Sequence, residues 1–307
     1  MIMKATPKNI KELEEALEEV DKEISKSQQE QYYYEVLKAY KGEDEVISFK
    51  QYLDYQKTNK TRTVPSGFKG LDDYVEGFRG GELVVITAPT GEGKTTFCQN
   101  ITLNLLNQDV RSLWFSYEVS IQDFIQKFGE EIPEGYLPKI LTERNLVWIE
   151  RKIVEAIAKY EVRAVFIDHL HYLFDLKNSR NTSLEIGEIV RTLKIIAKKY
   201  GITIFLVAHI GKVDYEGRVG LENIRDSSFV AQEADTVIAL WRVKERLSKL
   251  ELREKGTVYK NETMVSIVKN RFNGRLGTSK LIFHKNKFYE NDEDIPTPEP
   301  ETDSSIG

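Results

Sequence analysis

The chain has 307 residues, is 40% hydrophobic and 30% charged, and carries a formal net charge of -5. That is enough for one large α/β domain plus an appendage, and it excludes a chain disordered throughout. The acidic balance excludes indiscriminate nucleic-acid binding through overall charge, though not a local basic groove or pore. The single cysteine, Cys98, can form neither an internal disulfide nor a Cys-based zinc cluster. It reads as a small core residue in a reducing compartment. No apolar run approaches the ~18 residues of a membrane span, and the N-terminal MIMKATPKNIKELEEALEEV has no apolar signal core. A cytoplasmic protein with no membrane partner is expected.

Residues 1–61 read as a helical arm. Ile10, Leu13, Leu17, Val20 and Ile24 recur at helical spacing in a charged stretch, and a second helix is expected around Val46–Gln56. Such an arm packs either on its own domain or on a neighbouring subunit, and periodicity does not choose between them. The polar stretch Asn59–Val64 reads as a linker, and Pro65-Ser66-Gly67-Phe68 opens the main domain.

Leu83–Ala88 is a β-branched apolar run and reads as a buried strand. Ala88-Pro89-Thr90-Gly91-Glu92-Gly93-Lys94-Thr95 then follows the P-loop spacing, with Ala88 where the strict pattern has its first Gly. A helical run follows from Lys94. The two glycines let backbone N–H groups converge on an anion, and the helix dipole adds to that attraction. Residues Ala88 to Thr96 are therefore the expected ATP-binding segment. Lys94 would reach the β- and γ-phosphates, and the Thr95 hydroxyl would sit on Mg²⁺.

Further strands are expected at Ser112–Tyr117, Leu146–Ile149, Ala164–Ile167, Ile202–Val207, Val237–Trp241 and Met264–Val268. Helices are expected at Ile121–Phe128, Arg151–Tyr160 and Ser183–Lys199, and a terminal hairpin from Lys280–Phe283 and Lys287–Tyr289. Alternating strands and helices predict an α/β fold, with a mostly parallel central sheet flanked by helices. The acidic, Pro-rich residues 291–307 read as a disordered tail.

Four strand ends carry the chemistry. Asp168 closes the strand after Arg163 and is the expected metal-side carboxylate. His169 follows it where a hydrolytic Glu could have stood, and the spacing of His169 and His171 gives no persuasive metal site. Glu118, after the strand that follows the P-loop helix, is the better candidate to orient and deprotonate the attacking water. The alternative is a helix N-terminal acid before Ser120. His209 ends another apolar strand and is a candidate sensor of the γ-phosphate. Lys269 and Arg271 alternate onto one side of a late strand and suit the γ-phosphate of a partner subunit. An arginine finger of that kind is worth roughly 10³–10⁵ in rate. Two polar loops, after the Asp168 and His209 strands, carry Lys177, Arg180, Lys212, Arg218 and Arg225. These are the expected contacts to a DNA single-strand backbone.

In order, the blocks Pro65-Ser-Gly-Phe, Gly80-Gly81-Glu82-Leu83, the P-loop, Tyr117-Glu118-Val119-Ser120 and Phe166-Ile-Asp-His-Leu170 resemble the RecA-like motor of hexameric, DnaB-type replicative helicases. Ile224-Arg-Asp-Ser-Ser228, Gln232-Glu-Ala-Asp235 and Lys269-Asn-Arg-Phe-Asn-Gly274 continue the series. The His209 strand and the last block lean towards the Twinkle and phage primase-helicase branch. The resemblance covers roughly residues 62–290. It implies a homo-oligomeric ring, usually of six subunits, with ATP at the interfaces and single-stranded DNA through the centre of the ring at a replication fork. It further implies that Glu118 is the catalytic carboxylate, that Lys269 and Arg271 act across the interface, and that the arm docks on a neighbour. A primase or a loader are the further partners it raises. Sixty residues before the motor hold no primase domain, and the stretch Gln122–Arg144 is short. A phage or mobile-element helicase working in the host cytoplasm, or an accessory ATPase, is therefore the closer expectation. A recombinase-like or clock-type RecA-fold ATPase is the alternative.

Overall fold

The computed structural model describes residues 26–42, 45–58, 62–129, 132–141, 143–173, 182–209, 220, 228–245 and 258–296. The chain divides into two compact units, 1–60 and 61–307. The first holds helices α1 (Lys26–Ala39) and α2 (Phe49–Thr58). Tyr33, Tyr34, Leu37, Phe49, Tyr52, Leu53 and Tyr55 are exposed on them. The expected helix over Ile10–Ile24 lies outside the described residues.

The second unit begins with a two-stranded ribbon, β1 (Thr63–Val64) against β2 (Phe78–Arg79), with α3 (Lys69–Val75) between them. The polar stretch Asn59–Val64, expected as a linker, thus ends in a paired strand. Its main sheet has the order β10-β9-β8-β7-β3-β6-β5-β4. Strands β3 (Leu83–Ala88), β4 (Ser112–Ser116), β5 (Ala164–Asp168), β6 (Thr203–His209) and β7 (Thr236–Lys244) run parallel. Strands β8 (Tyr259–Asn270), β9 (Gly277–His284) and β10 (Lys287–Tyr289) extend it antiparallel. This is the mostly parallel sheet that alternation predicts, with the C-terminal hairpin as its edge.

Alternate side chains of the buried strands feed two cores. One face, including Val85, Phe115, Ile167 and Leu206, packs on α6 (Leu146–Tyr160), α7 (Thr182–Tyr200) and α8 (Ser228–Glu233). Ile186, Ile189, Val190, Leu193 and Ala197 supply the helical apolar stripe of α7. The other face packs on α3, α4 (Lys94–Leu106) and α5 (Ile121–Gln126). There Trp114, Phe166 and Phe205 stack at 4.5 Å centroid spacing, and Phe78 meets Phe205 edge-on at 4.8 Å. Cys98 is fully buried in this layer, as expected of a core residue.

The expected strand Leu146–Ile149 is instead the first turn of α6. The Asn145 side chain caps it, accepting from Trp148 N at 2.8 Å, and Val147 faces solvent while Ile149, Ile153 and Ala156 are buried. A four-residue apolar run is ambiguous by itself, and the cap decides it. At the other end, part of the acidic tail is folded. Glu290 accepts from Lys69 N and Gly70 N at the start of α3, and Asp292–Asp294 forms a 3₁₀ turn. Residues 297–307 lie outside the described residues.

Candidate nucleotide site

Strand β3 lies in the middle of the sheet, between β6 and β7, and is buried along its whole length. Its C-terminal end therefore delivers the P-loop into a crevice flanked by strand ends. Gly91 and Gly93 adopt φ of +81° and +88°, which side-chain-bearing residues rarely take, and a Cβ on Gly91 would meet nothing within 4 Å. The turn is thus an open cradle at the N-terminus of α4. Lys94 folds over it, donating to the Ala88 and Pro89 carbonyls at 3.0 Å each. Burial pulls the Lys94 pKa below its usual value, while Glu118 and Asp168 oppose that shift by charge. Pro89, Thr90 and Thr96 complete the segment; Thr90 is exposed, and the Thr96 carbonyl accepts from Asn100. The Glu92 side chain turns away, accepting from the Arg242 amide at 2.7 Å.

Thr95 Oγ1 donates to Asp168 Oδ2 at 2.6 Å. Asp168 Oδ1 is buried with no hydrogen-bond partner. Burial pushes the Asp168 carboxyl up to about 6, the Thr95 bond resists this, and Glu118 adds to it. A hydroxyl and an unsatisfied carboxylate oxygen beside a phosphate cradle are a donor set that fits Mg²⁺.

Glu118, His169 and His209 meet at the ends of β4, β5 and β6. Tyr117 N donates to the Asp168 carbonyl, fixing the exit of β4, and His209 pairs in register with Ala88 of the P-loop strand. Glu118 is exposed. Burial, followed by the charge of His209, holds His169 down to about 3, and burial and Lys94 hold His209 down to about 4. Both imidazoles are thus neutral at pH 7.

Lys269 and Arg271 lie elsewhere. Lys269 Nζ and Arg271 Nη2 both donate to the Gln232 carbonyl, at 3.0 and 2.8 Å, and Arg271 Nη1 lies 3.3 Å from Asp235 Oδ1. The two cations do share a side. Asn270 pairs with Thr236, and Thr236 pairs with Val84, at the opening end of β3. The P-loop follows Ala88, four residues on, or roughly 13 Å along the strand. These cations therefore sit at the opposite end of the sheet from the P-loop of their own chain. The expected DNA contacts Lys177, Arg180, Lys212, Arg218 and Arg225 all lie outside the described residues.

The model of the DnaB-like helicase C-terminal domain matches residues 63–131 and 140–291. The chain belongs to this family. It is 25% identical over 269 residues to the replicative DNA helicase DnaB of Helicobacter pylori, 26% over 261 residues to that of Geobacillus stearothermophilus, and 29% over 255 residues to that of Mycoplasma genitalium. These alignments cover 71–73% of this chain but only 54–56% of each relative. Among solved structures, one described as an ATPase domain superposes with a TM-score of 0.66 at 22% identity, covering 80% of this chain and 99% of that one. A DnaB-like replicative helicase, described together with its interactions with primase, gives 0.65 at 21%, covering 90% and 74%. The matches are to the DnaB-like family as a whole and do not separate its branches.

Three features of this DnaB-like domain were not visible in the sequence. Asp235, at 3% side-chain exposure, accepts from Leu83 N and forms a buried ion pair with Lys194 in addition to meeting Arg271. Glu92 ties the P-loop to β7, where Arg242 lies over the Tyr259 ring at 4.6 Å. The grouping of His169 with Glu118 and His209 is the third. All three join residues dozens of positions apart, and only strand order brings them together.

Among the described residues, no helix is long and apolar enough to cross a membrane.

Proposed function

We propose that this chain is the motor of a ring-forming, ATP-driven DNA helicase. The observation that carries this reading is the separation of Lys269 and Arg271 from the P-loop of their own chain. Cations held at the far end of the sheet suit a nucleotide bound by the next subunit, so each ATP site would be shared between two copies. Within one chain, Lys94 leaves the Ala88 and Pro89 carbonyls to bind the phosphates, and the Gly91–Gly93 backbone cradles them. Thr95 and Asp168 hold Mg²⁺, which when bound neutralises charge on the phosphate oxygens. Glu118 orients the attacking water and takes its proton. His209, a neutral imidazole in register with Ala88, reports the state of the γ-phosphate to the residues that follow β6. Single-stranded DNA passes along the basic segments after β5 and β6 that carry Lys177, Arg180, Lys212, Arg218 and Arg225. The exposed aromatic residues of α1 and α2 dock the arm on a neighbouring subunit. A primase or loader, the replication fork as substrate and a cytoplasmic location belong to the same proposal.

The test is a forked-duplex unwinding assay with ATP and Mg²⁺, run beside sizing of the oligomer. Strand separation by a ring, abolished in Lys94→Ala, is the expected result. Single-strand-stimulated hydrolysis without unwinding would replace this reading with that of a RecA-like ATPase acting in recombination.

A further inference from the structure

Adjacent strands β4, β5 and β6 end side by side, and each leaves a metal-ligating side chain at the same edge. One ligand atom each from Glu118, His169 and His209 lies within 4.8 Å of the others. The His169 and His209 ring centroids are 4.1 Å apart with planes at 74°. His209 Nδ1 is buried and has no hydrogen-bond partner. His171 borders the group, its ring centroid 5.5 Å from that of His209. The adjoining Asp168 carboxylate is committed to Thr95 through Oδ2.

We propose that Glu118, His169 and His209 form a transition-metal site of the zinc class, distinct from the Thr95–Asp168 oxygen site. Two imidazoles and one carboxylate with an open position are a zinc donor set. Hard Mg²⁺ takes oxygen ligands and leaves imidazole to zinc and its neighbours. Zinc bonds of about 2.0–2.2 Å require ligand atoms roughly 3.5 Å apart, so the group must close by about an ångström. Glu118 is exposed and supplies that movement, while the two histidines are held on strand ends. A carboxylate bound to zinc cannot accept a proton from water. Resting on the hydrolytic role assigned to Glu118 above, zinc occupancy therefore switches hydrolysis off.

The experiment titrates chelator-stripped full-length protein with Co²⁺, read by visible absorption, and then displaces it with Zn²⁺. One ion per chain is expected. His169→Ala and His209→Ala should each weaken binding by more than the roughly 10–100-fold that loss of a mere supporting partner costs. Glu118→Gln should weaken it too. Thermal melts establish that each variant is folded, with His209→Asn as the substitute if the alanine variant is not. No absorption, or equal affinity in folded histidine variants, would overturn the site and leave three imidazoles that merely pack. ATP turnover undiminished by saturating Zn²⁺ would overturn the switch. Failure of the stripped protein to hydrolyse ATP with Mg²⁺ would instead sink the motor reading, and the metal titration would stand on its own.

Discussion

Lys194→Met removes one half of the buried ion pair that ties the sheet to the Arg271 corner. Lys194 and Asp235 have side-chain exposures of 9% and 3%, and Lys194 also donates to the Gly81 carbonyl at 2.8 Å. Breaking a buried pair by removing one partner costs about 3–5 kcal/mol, because the remaining charge stays buried. Asp235 keeps the Leu83 amide at 2.9 Å and Arg271 at 3.3 Å, which places the cost near the lower end, about 3 kcal/mol. At about 2–4 °C per kcal/mol for a domain of this size, the melting temperature should fall by roughly 6–12 °C. Circular dichroism in a thermal and a urea series reads both quantities. Adding Asp235→Asn, which keeps an acceptor for Leu83 but removes the stranded charge, should recover more than half of the loss. A single variant within about 1 kcal/mol of wild type, or a double variant no better than the single, would refute the buried-charge reasoning.

Arg271→Ala should behave in the opposite way. Its side chain is half exposed, so stability should change by less than about 1 kcal/mol, while turnover falls by roughly 10³–10⁵ with ATP binding retained. A fluorescent-nucleotide titration beside a phosphate-release assay separates the two. Glu82→Gln tests a pH dependence. Burial pushes the Glu82 carboxyl up to about 7 from 4.5, despite bonds from Thr236 Oγ1 and Arg79 N. The folded state then holds a proton that the unfolded chain releases. The stabilisation is complete below pH 4.5 and is lost as pH rises to about 7. The glutamine variant cannot ionise, so its stability relative to wild type should rise across that window, and a flat difference between pH 4.5 and 8 would contradict the assignment.

What could be read in the sequence was mostly local. The β3 strand, the Gly-rich turn and α4 are contiguous, and their residue types fix the strand–turn–helix structure. Asp168 could be placed because an apolar strand ends on it, and the Thr95 contact followed from the shared crevice. Leu146–Ile149 opens a helix in place of the expected strand because four apolar residues fit either equally well, and the Asn145 cap decides between them. Asp235 could not be assigned a role, since its partners Leu83 and Lys194 lie 152 and 41 positions away. The spacing of His169 and His171 gives no sign of a grouping, because the residues that join His169 are Glu118 and His209, far off in the chain. Only the β4–β5–β6 order places them against Glu118.

The proposed sharing of each ATP site between two copies makes subunit mixing the most direct measurement. Arg271→Ala subunits keep an intact P-loop side, and Glu118→Gln subunits keep an intact Lys269–Arg271 side. Each variant alone should be nearly inactive. Combined, they should regain a fraction of wild-type ATP turnover that peaks near equal amounts, because some interfaces then pair a sound Glu118 with a sound Arg271. Turnover that stays at the level of the separate variants at every ratio, in rings shown by sizing to be mixed, would contradict a site shared between subunits.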